Sequence, residues 1–394
     1  MPLGLYLSVP FCRTKCTYCN FASDVFSKAV FDRYIDRVCS DIENSAATAA
    51  QMGAQFDRRV DSIYIGGGTP TILDISQLRR LFVTISQNFD VQPGAEITVE
   101  CAPGTLSPAM LEGLQALGVN RVSLGVQSFV DKEAASVGRL HSQKTTLDDI
   151  ANLRRASITN INVDLIAGLP HQTTESWQFS VQQTIASQVP HVSIYMLEVD
   201  EDSRLGRELI AGGTKYHAHF VPDDDLTADL YGIACERLEQ SGIRQYEISN
   251  FAVAGSESRH NLKYWARQPY LGFGVDAHSM ILASGSGAEA VRFSTPDSLE
   301  AYISGAAQQP TLIDARAALE ESFFLGLRLN RGVNLGEIAS QFGEQTLASL
   351  VVTIDDLVDS GLLERSNHEL RLTPRGRLLS NEVFERFLSL PTVG

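Results

Sequence analysis

The sequence has no uninterrupted apolar run near the ~18 residues that a membrane-spanning helix requires. Its first residues, Met-Pro-Leu-Gly-Leu-Tyr-Leu-Ser-Val-Pro, lack a basic start and a small-residue cleavage site, so no secretory signal is predicted and the expected location is the reducing cytoplasm. Positive charge is also scarce. Thirty-two Lys and Arg stand against 47 Asp and Glu, a formal net charge of −15, which argues against sequence-independent binding to nucleic acid. There is no Gly-Lys-Ser/Thr phosphate loop, no internal repeat, and one low-complexity stretch, Ser284–Ala290, which reads as a flexible loop. Cysteine is sparse as well. Of the six, three fall within eight residues, which excludes a spread disulfide framework and points to metal. Cys39 and Cys235 lie in amphipathic stretches and read as buried small hydrophobes.

What remains is ordinary globular composition, 44% hydrophobic, over a length that allows two or three domains. Strand-like runs at Leu5–Val9, Ser62–Ile65, Glu96–Glu100, Arg121–Val126, Asn160–Ile166 and His191–Leu197 alternate with helical patterns. The helical patterns include Phe31–Ala50, Ile75–Phe89, Pro108–Leu117 and Thr174–Ser187. Such repeats predict an α/β fold with a parallel sheet and right-handed crossovers, a barrel or partial barrel with ligands at the carboxyl ends of its strands. The texture changes near Tyr246 and again near Asp314. The predicted division is a barrel over 1–245, an extension over 246–313, and a helical module over 314–394. Within that module, Leu319–Leu329, Leu335–Gln341 and Leu347–Ser360 read as helices, and Leu362–Leu372 as a hairpin around Asn367-His368, which predicts a winged helix.

Unusual polar residues follow the strand-like runs. Cys12-Arg-Thr-Lys-Cys16-Thr-Tyr-Cys19 comes after the first, and thiolates are the soft ligands of iron–sulfur clusters. Three cysteines leave one iron of a cubane open, whereas a structural zinc would need a fourth ligand nearby and the nearest histidine is His141. Gly66-Gly67-Gly68-Thr69-Pro70 follows the second run, where glycine lets the backbone approach a ligand. Glu100 ends the third run, Gln127 follows the fourth and Asp164 lies in the fifth, while Arg139 offers a fork-shaped contact to a carboxylate. One shared site accounts for all of them.

The cysteine spacing, directly after a strand, resembles the radical S-adenosylmethionine (SAM) superfamily. That resemblance implies a partial (β/α)6 TIM-like barrel with a [4Fe–4S] cluster on Cys12, Cys16 and Cys19, and SAM chelated to the open iron. Gly67, Gly68 and Thr69 match the segment that binds the methionine end of SAM. Glu100, Gln127, Arg139 and Asp164 match further SAM-surrounding positions, and Tyr6 and Tyr18 are expected beside the cluster loop in contact with SAM. Position after position, the chain is similar to the subgroup related to oxygen-independent coproporphyrinogen III oxidase.

Within that subgroup, two features resemble its HemW-type haem-chaperone class. The oxidase carries a fourth cysteine two residues after the third, where this chain has Asn20-Phe21. The chaperone class carries His-Asn-x-x-Tyr-Trp, which stands here as His260-Asn261-Leu262-Lys263-Tyr264-Trp265. A neutral imidazole is a standard haem ligand and aromatic rings pack on the macrocycle, so His260, Tyr264 and Trp265 are expected near haem. The resemblance implies a binding protein with no catalytic residue of its own. Its partners are haem and haem-acceptor proteins, with peripheral association to membrane haem proteins within the same expectation. The alternative is a radical SAM oxidase acting on a tetrapyrrole. Two positions depart from the subgroup: Ala102 replaces an Asn near the expected ribose, and Val275-Asp276-Ala277-His278 replaces a Gly-rich run. His278 has a plain structural reading and, as the alternative, a contact to a haem propionate. The C-terminal module, despite Arg365, Arg371, Arg375 and Arg377, is expected to be a lid or partner-docking surface, with no DNA partner.

Overall fold

In the computed structural model, which describes residues 1–285, 287–306 and 308–388, six parallel strands run in chain order. They are β1 (Leu3–Val9), β2 (Arg59–Gly67), β3 (Asp90–Cys101), β4 (Arg121–Gln127), β5 (Asn160–Ala167) and β6 (His191–Met196). Each pairs only with its chain neighbours within this set. Parallel neighbours need crossovers, and helices supply them. The crossover helices are α1 (Phe31–Gln51), α2 (Ile75–Asn88), α3 (Pro108–Ala116), α4 (Gln143–Arg155) and α5 (Thr174–Ala186). Their starts are set locally. Asp74 and Gln77 form a reciprocal capping box at α2, and Ser107, Ser142 and Thr173 accept backbone N–H bonds at α3, α4 and α5. The α1 stripe Tyr34, Ile35, Val38 and Ile42 recurs at three- and four-residue intervals and is buried against the sheet.

Two side-chain sets alternate along the strands. Leu5, Leu7, Val9, Ile63, Ile65, Val122, Leu124, Ile161, Val163, Leu165, Val192 and Ile194 face the helices and form the main core. The other set is polar: Ser62 and Tyr64 on β2; Glu96, Thr98 and Glu100 on β3; Arg121, Ser123 and Gln127 on β4. Asn162 and Asp164 on β5, with His191, Ser193 and Tyr195 on β6, complete it. Barrels usually fill their interior with branched apolar residues. This one keeps water-loving groups inside, so its interior is where a polar ligand fits.

Residues 246–313 do not stand apart from the sheet. Asn250–Ala252 pairs antiparallel with β6, while Tyr270–Phe273 pairs parallel with β1. From there His278–Ala283, Ala290–Ser294 and Thr311–Ile313 extend the same sheet as antiparallel ribbons. The loop expected at Ser284–Ala290 joins two of these strands in part, and Ser286 within it lies outside the described residues. The C-terminal module has its own core around Phe323, Ile338, Ile354, Leu357 and Leu370. Its hairpin Leu363–Ser366/Glu369–Leu372 carries Val333–Asn334 as a third strand, the wing of a winged helix. Arg371 pairs with Glu364 at 2.6 Å, and Arg375 and Arg377 bond to the carbonyls of Ser360 and Leu372.

The module is fixed to the barrel by buried charge. Glu321 receives Arg267 Nε at 2.9 Å and Arg292 Nη2 at 2.8 Å, and the Arg328 guanidinium lies 4.5 Å from the Trp265 ring centre. Among the described residues, no helix is long and apolar enough to cross a membrane.

Candidate functional site

The loop from Cys12 to Cys19 leaves β1 and is held by its neighbours' backbones. Thr17 N donates to Val137 O (3.2 Å), Thr14 Oγ1 to Gly138 O (3.1 Å), and Cys12 N to Asp24 O (3.0 Å). From the β2 side, Gly68 N donates to Val9 O and Thr69 N to Phe11 O, both at 2.8 Å. Gly68 has to be glycine: a Cβ there would stand 2.7 Å from Phe11 O and 3.0 Å from Cys12 Sγ. The three thiols open on a cavity of about 330 Å³ that runs down the polar interior of the barrel. Among the described residues no set of three or more donors converges as a single-ion site would require. A cubane makes a different demand, since its thiolates reach three separate iron corners, and a loop with three cysteines in eight residues meets it.

Cys12, Cys16, Cys19, Tyr18, Gly67, Gly68, Thr69, Glu100, Gln127, Arg139 and Asp164 all line this one cavity. Glu100 accepts from Tyr64 Oη (2.8 Å) and Gly67 N (3.1 Å). Burial, which those bonds only partly offset, pushes its carboxyl up to about 7, and the Asp164 charge adds to the rise. Asp164 is also raised by burial, against hydrogen bonds from Ser123 Oγ (3.0 Å) and Asn162 Nδ2 (2.7 Å). Arg139 directs Nη1 at Cys16 Sγ (3.6 Å) and Nη2 at the Gly125 carbonyl. Its Nε is buried without a partner, as is Thr98 Oγ1 in the cavity wall. Such groups are uncommon in finished interiors, and both fit a polar ligand that brings its own acceptors and donors. Gln127 holds a left-handed φ of 69°, a strained value for a non-glycine residue, at the point where β4 turns out of the sheet.

The wall of the same cavity continues in a polar network that the apolar-run reading of the sequence missed. Asn162 Nδ2 donates to Ser123 Oγ (2.8 Å) and Ser193 Oγ (3.0 Å), and Asn162 Oδ1 meets His191 Nδ1 at 2.7 Å. His191 Nε2 meets Tyr246 Oη at 2.9 Å, and Ser193 Oγ donates to Asn250 Oδ1 at 2.8 Å. The signal was present as polar residues at every second position, Glu96-x-Thr98-x-Glu100 and His191-x-Ser193-x-Tyr195, inside strands whose other positions are apolar.

Four expected residues stand elsewhere. Tyr6 is not on the cavity wall; its ring lies 6.1 Å from Tyr64 and 6.4 Å from His260, within the barrel. The signature His260–Trp265 belongs to a short helix, α7 (Arg259–Trp265), whose first backbone N–H groups are received by Glu96, Arg259 N and His260 N both at 3.1 Å. His260 is 1% exposed, and both its nitrogens are engaged, Nδ1 with Ser62 Oγ (3.0 Å) and Nε2 with Tyr264 Oη (2.8 Å). Burial, and then the Lys263 charge, lower it to about 3, so the ring is neutral. For His260 to ligate haem iron, as the sequence suggested, Ser62 or Tyr264 would have to release a ring nitrogen. Tyr264 is committed to His260, and Trp265 packs under Arg328 of the C-terminal module. His278 is exposed at a strand start, 3.8 Å from Asp276. Among the described residues none beyond Asn261 lines the cavity.

Comparison with known proteins agrees with this geometry. Residues 6–182 match the Radical SAM superfamily, and residues 313–379 match the HemN C-terminal domain. The curated relatives include heme chaperone HemW of Bacillus subtilis, 34% identical across 97% of this chain and 98% of its own length. Heme chaperone HemW of Lactococcus lactis is 30% identical across 98% and 97%. Among solved structures, coproporphyrinogen III oxidase (HemN) from Escherichia coli superposes with a TM-score of 0.82 at 24% identity, over 98% of this chain and 90% of that one, a shared fold. On full-length identity with these relatives, the chain belongs to the HemW family of the radical SAM superfamily.

Proposed function

We propose that this protein is a haem chaperone built on a radical SAM scaffold, binding haem and transferring it to acceptor proteins. The observation that carries the scaffold part is the loop of three thiols opening on a polar, partly unsatisfied cavity. The haem part is supported by the names of the full-length relatives and by Asn20-Phe21, which occupies the place of the oxidase's fourth cysteine. Cys12, Cys16 and Cys19 would hold a [4Fe–4S] cluster, with SAM bound beside it in the same cavity. When bound, the pair supplies one-electron chemistry at a sulfonium.

The chain's own residues bind and orient. Glu100, already oriented by Tyr64 Oη and Gly67 N, accepts from ribose hydroxyls. Arg139 offers its unpartnered Nε to a carboxylate, and the Gly67–Thr69 backbone lies close to an ammonium. Gln127, Asp164 and Tyr18 complete the wall. The proposed setting is the cytoplasm, with delivery at the membrane surface by peripheral contact.

The test is anaerobic cluster reconstitution, then haem titration by absorbance and coproporphyrinogen turnover with SAM and a reductant. Haem binding without turnover is expected. Robust protoporphyrinogen formation would overturn the reading in favour of a tetrapyrrole oxidase. A Cys12→Ser, Cys16→Ser, Cys19→Ser variant is expected to lose cluster iron and its visible absorbance while keeping the wild-type circular dichroism spectrum.

A further inference from the structure

Resting on the chaperone reading, we infer that haem iron is ligated by a partly exposed imidazole cluster, half-buried His171 and His217 with exposed His219, gathered around Phe220. The chain has eight histidines. His141, His191 and His260 have ring nitrogens tied into hydrogen bonds. The rings of His171, His217 and His219 have no hydrogen-bond or ion-pair partner among the described residues, and they gather in one patch. His171 lies 5.2 Å from His217 and 4.0 Å from Phe220, and His219 lies 4.1 Å from Phe220, centre to centre.

The patch is built, not incidental. His171 N donates to Phe220 O (3.0 Å) and Phe220 N to His217 O (2.9 Å), so the loop after β5 and the turn 217–220 hold each other. The Glu208 carboxylate accepts from Tyr216 N and Ala218 N and pins that turn to helix α6 (Arg204–Ala211). His171 and His217 both sit in the left-handed region, at φ 69° and 62°, a cost that structures keep where a side chain must be aimed. The location is the carboxyl-end face of the barrel. Helix α6 is bonded to the cysteine loop through Leu205 N and Thr17 O at 2.9 Å.

The chemistry of the patch selects its ligand. Among the described residues no three donors converge to coordinate a bare metal ion. A haem iron asks for only one or two axial imidazoles, because the porphyrin supplies the equatorial nitrogens. The macrocycle also needs apolar area: Phe220, 46% exposed, packs directly on two of the imidazoles, and the helix that pins the turn carries the exposed Leu209 and Ile210. A partly exposed site suits a carrier that must give its cargo away.

The test is a titration of the cluster-loaded protein with ferric haem and, separately, with iron-free protoporphyrin. The variant is His171→Asn, His217→Asn, His219→Asn, since asparagine tolerates the left-handed backbone. The expected result is loss of the imidazole-ligated Soret signature and at least about a tenfold weaker haem affinity. Protoporphyrin binding, cluster iron and SAM binding are expected to stay at wild-type values, and Phe220→Ala to weaken haem and protoporphyrin alike. A variant with the wild-type haem spectrum and affinity would overturn this site while leaving the chaperone reading intact. Wild-type protein that binds no haem would overturn both.

Discussion

Replacing His260 by alanine removes an imidazole that holds two hydroxyl groups inside the barrel. Ser62 is fully buried and loses its side-chain partner, while Tyr264 loses the bond from its hydroxyl to Nε2. An unsatisfied buried hydroxyl costs about 1–3 kcal/mol, the partly accessible Tyr264 less, and the vacated ring volume adds a cavity term. The sum is about 2–4 kcal/mol, a large part of the 5–15 kcal/mol that typically separates folded from unfolded chains. With a urea slope of about 3 kcal/mol/M, the unfolding midpoint falls by about 1 M. Fluorescence reports it directly, because one of the chain's two tryptophans is the neighbouring Trp265.

A second readout is acid sensitivity. The folded-state pKa of His260 is lowered to about 3 from 6.5, so between those values the unfolded chain binds the extra proton. Stability from this residue is therefore complete above pH 6.5 and falls as pH drops, by about 1.4 kcal/mol per unit. The alanine variant lacks that slope. Wild-type midpoint and wild-type acid slope, combined with loss of haem ligation in His260→Ala, would refute the reasoning and return His260 to the role of ligand.

Glu100→Gln tests the cavity carboxyl. Its folded pKa, about 7, lies above the ordinary 4.5, so the ligand-free wild type loses stability as pH rises from 4.5 to 7, by at most about 1.4 kcal/mol per unit. Thermal melts across that window are expected to flatten in the variant, and parallel curves for the two proteins would contradict the burial argument. Glu321→Ala strips the shared partner from Arg267 and Arg292 at the seat of the C-terminal module. Uncovering a buried pair costs about 3–5 kcal/mol. Limited proteolysis is expected to release the segment after residue 313 faster than in wild type, and an unchanged digestion rate would show that apolar packing alone holds the module.

The cysteine loop, the glycine turn, Glu100 and Gln127 were legible because each follows or ends an apolar run, whereas Arg139 and Asp164 were singled out by the family resemblance. In a parallel barrel every such position is delivered to the same face, whatever the side chains between them do. Period and spacing are local properties, so the six strands, their crossover helices and the winged hairpin could also be read from the chain. The interior was harder. Ser62, Thr98, Ser123, Asn162, His191 and Ser193 repeat at every second residue, yet only closure of the sheet decides whether that face meets water or the other strands. Tertiary structure alone decided the fate of the two groups of histidines. His260 sits in a motif whose aromatic company suggests a ligand, but Ser62 of β2 and Tyr264 of its own helix engage both its nitrogens. His171 stands 46 positions before His217 and 48 before His219, and the three carry no motif. They meet because a loop after β5 and a turn after α6 bond backbone to backbone, a contact that no local pattern encodes.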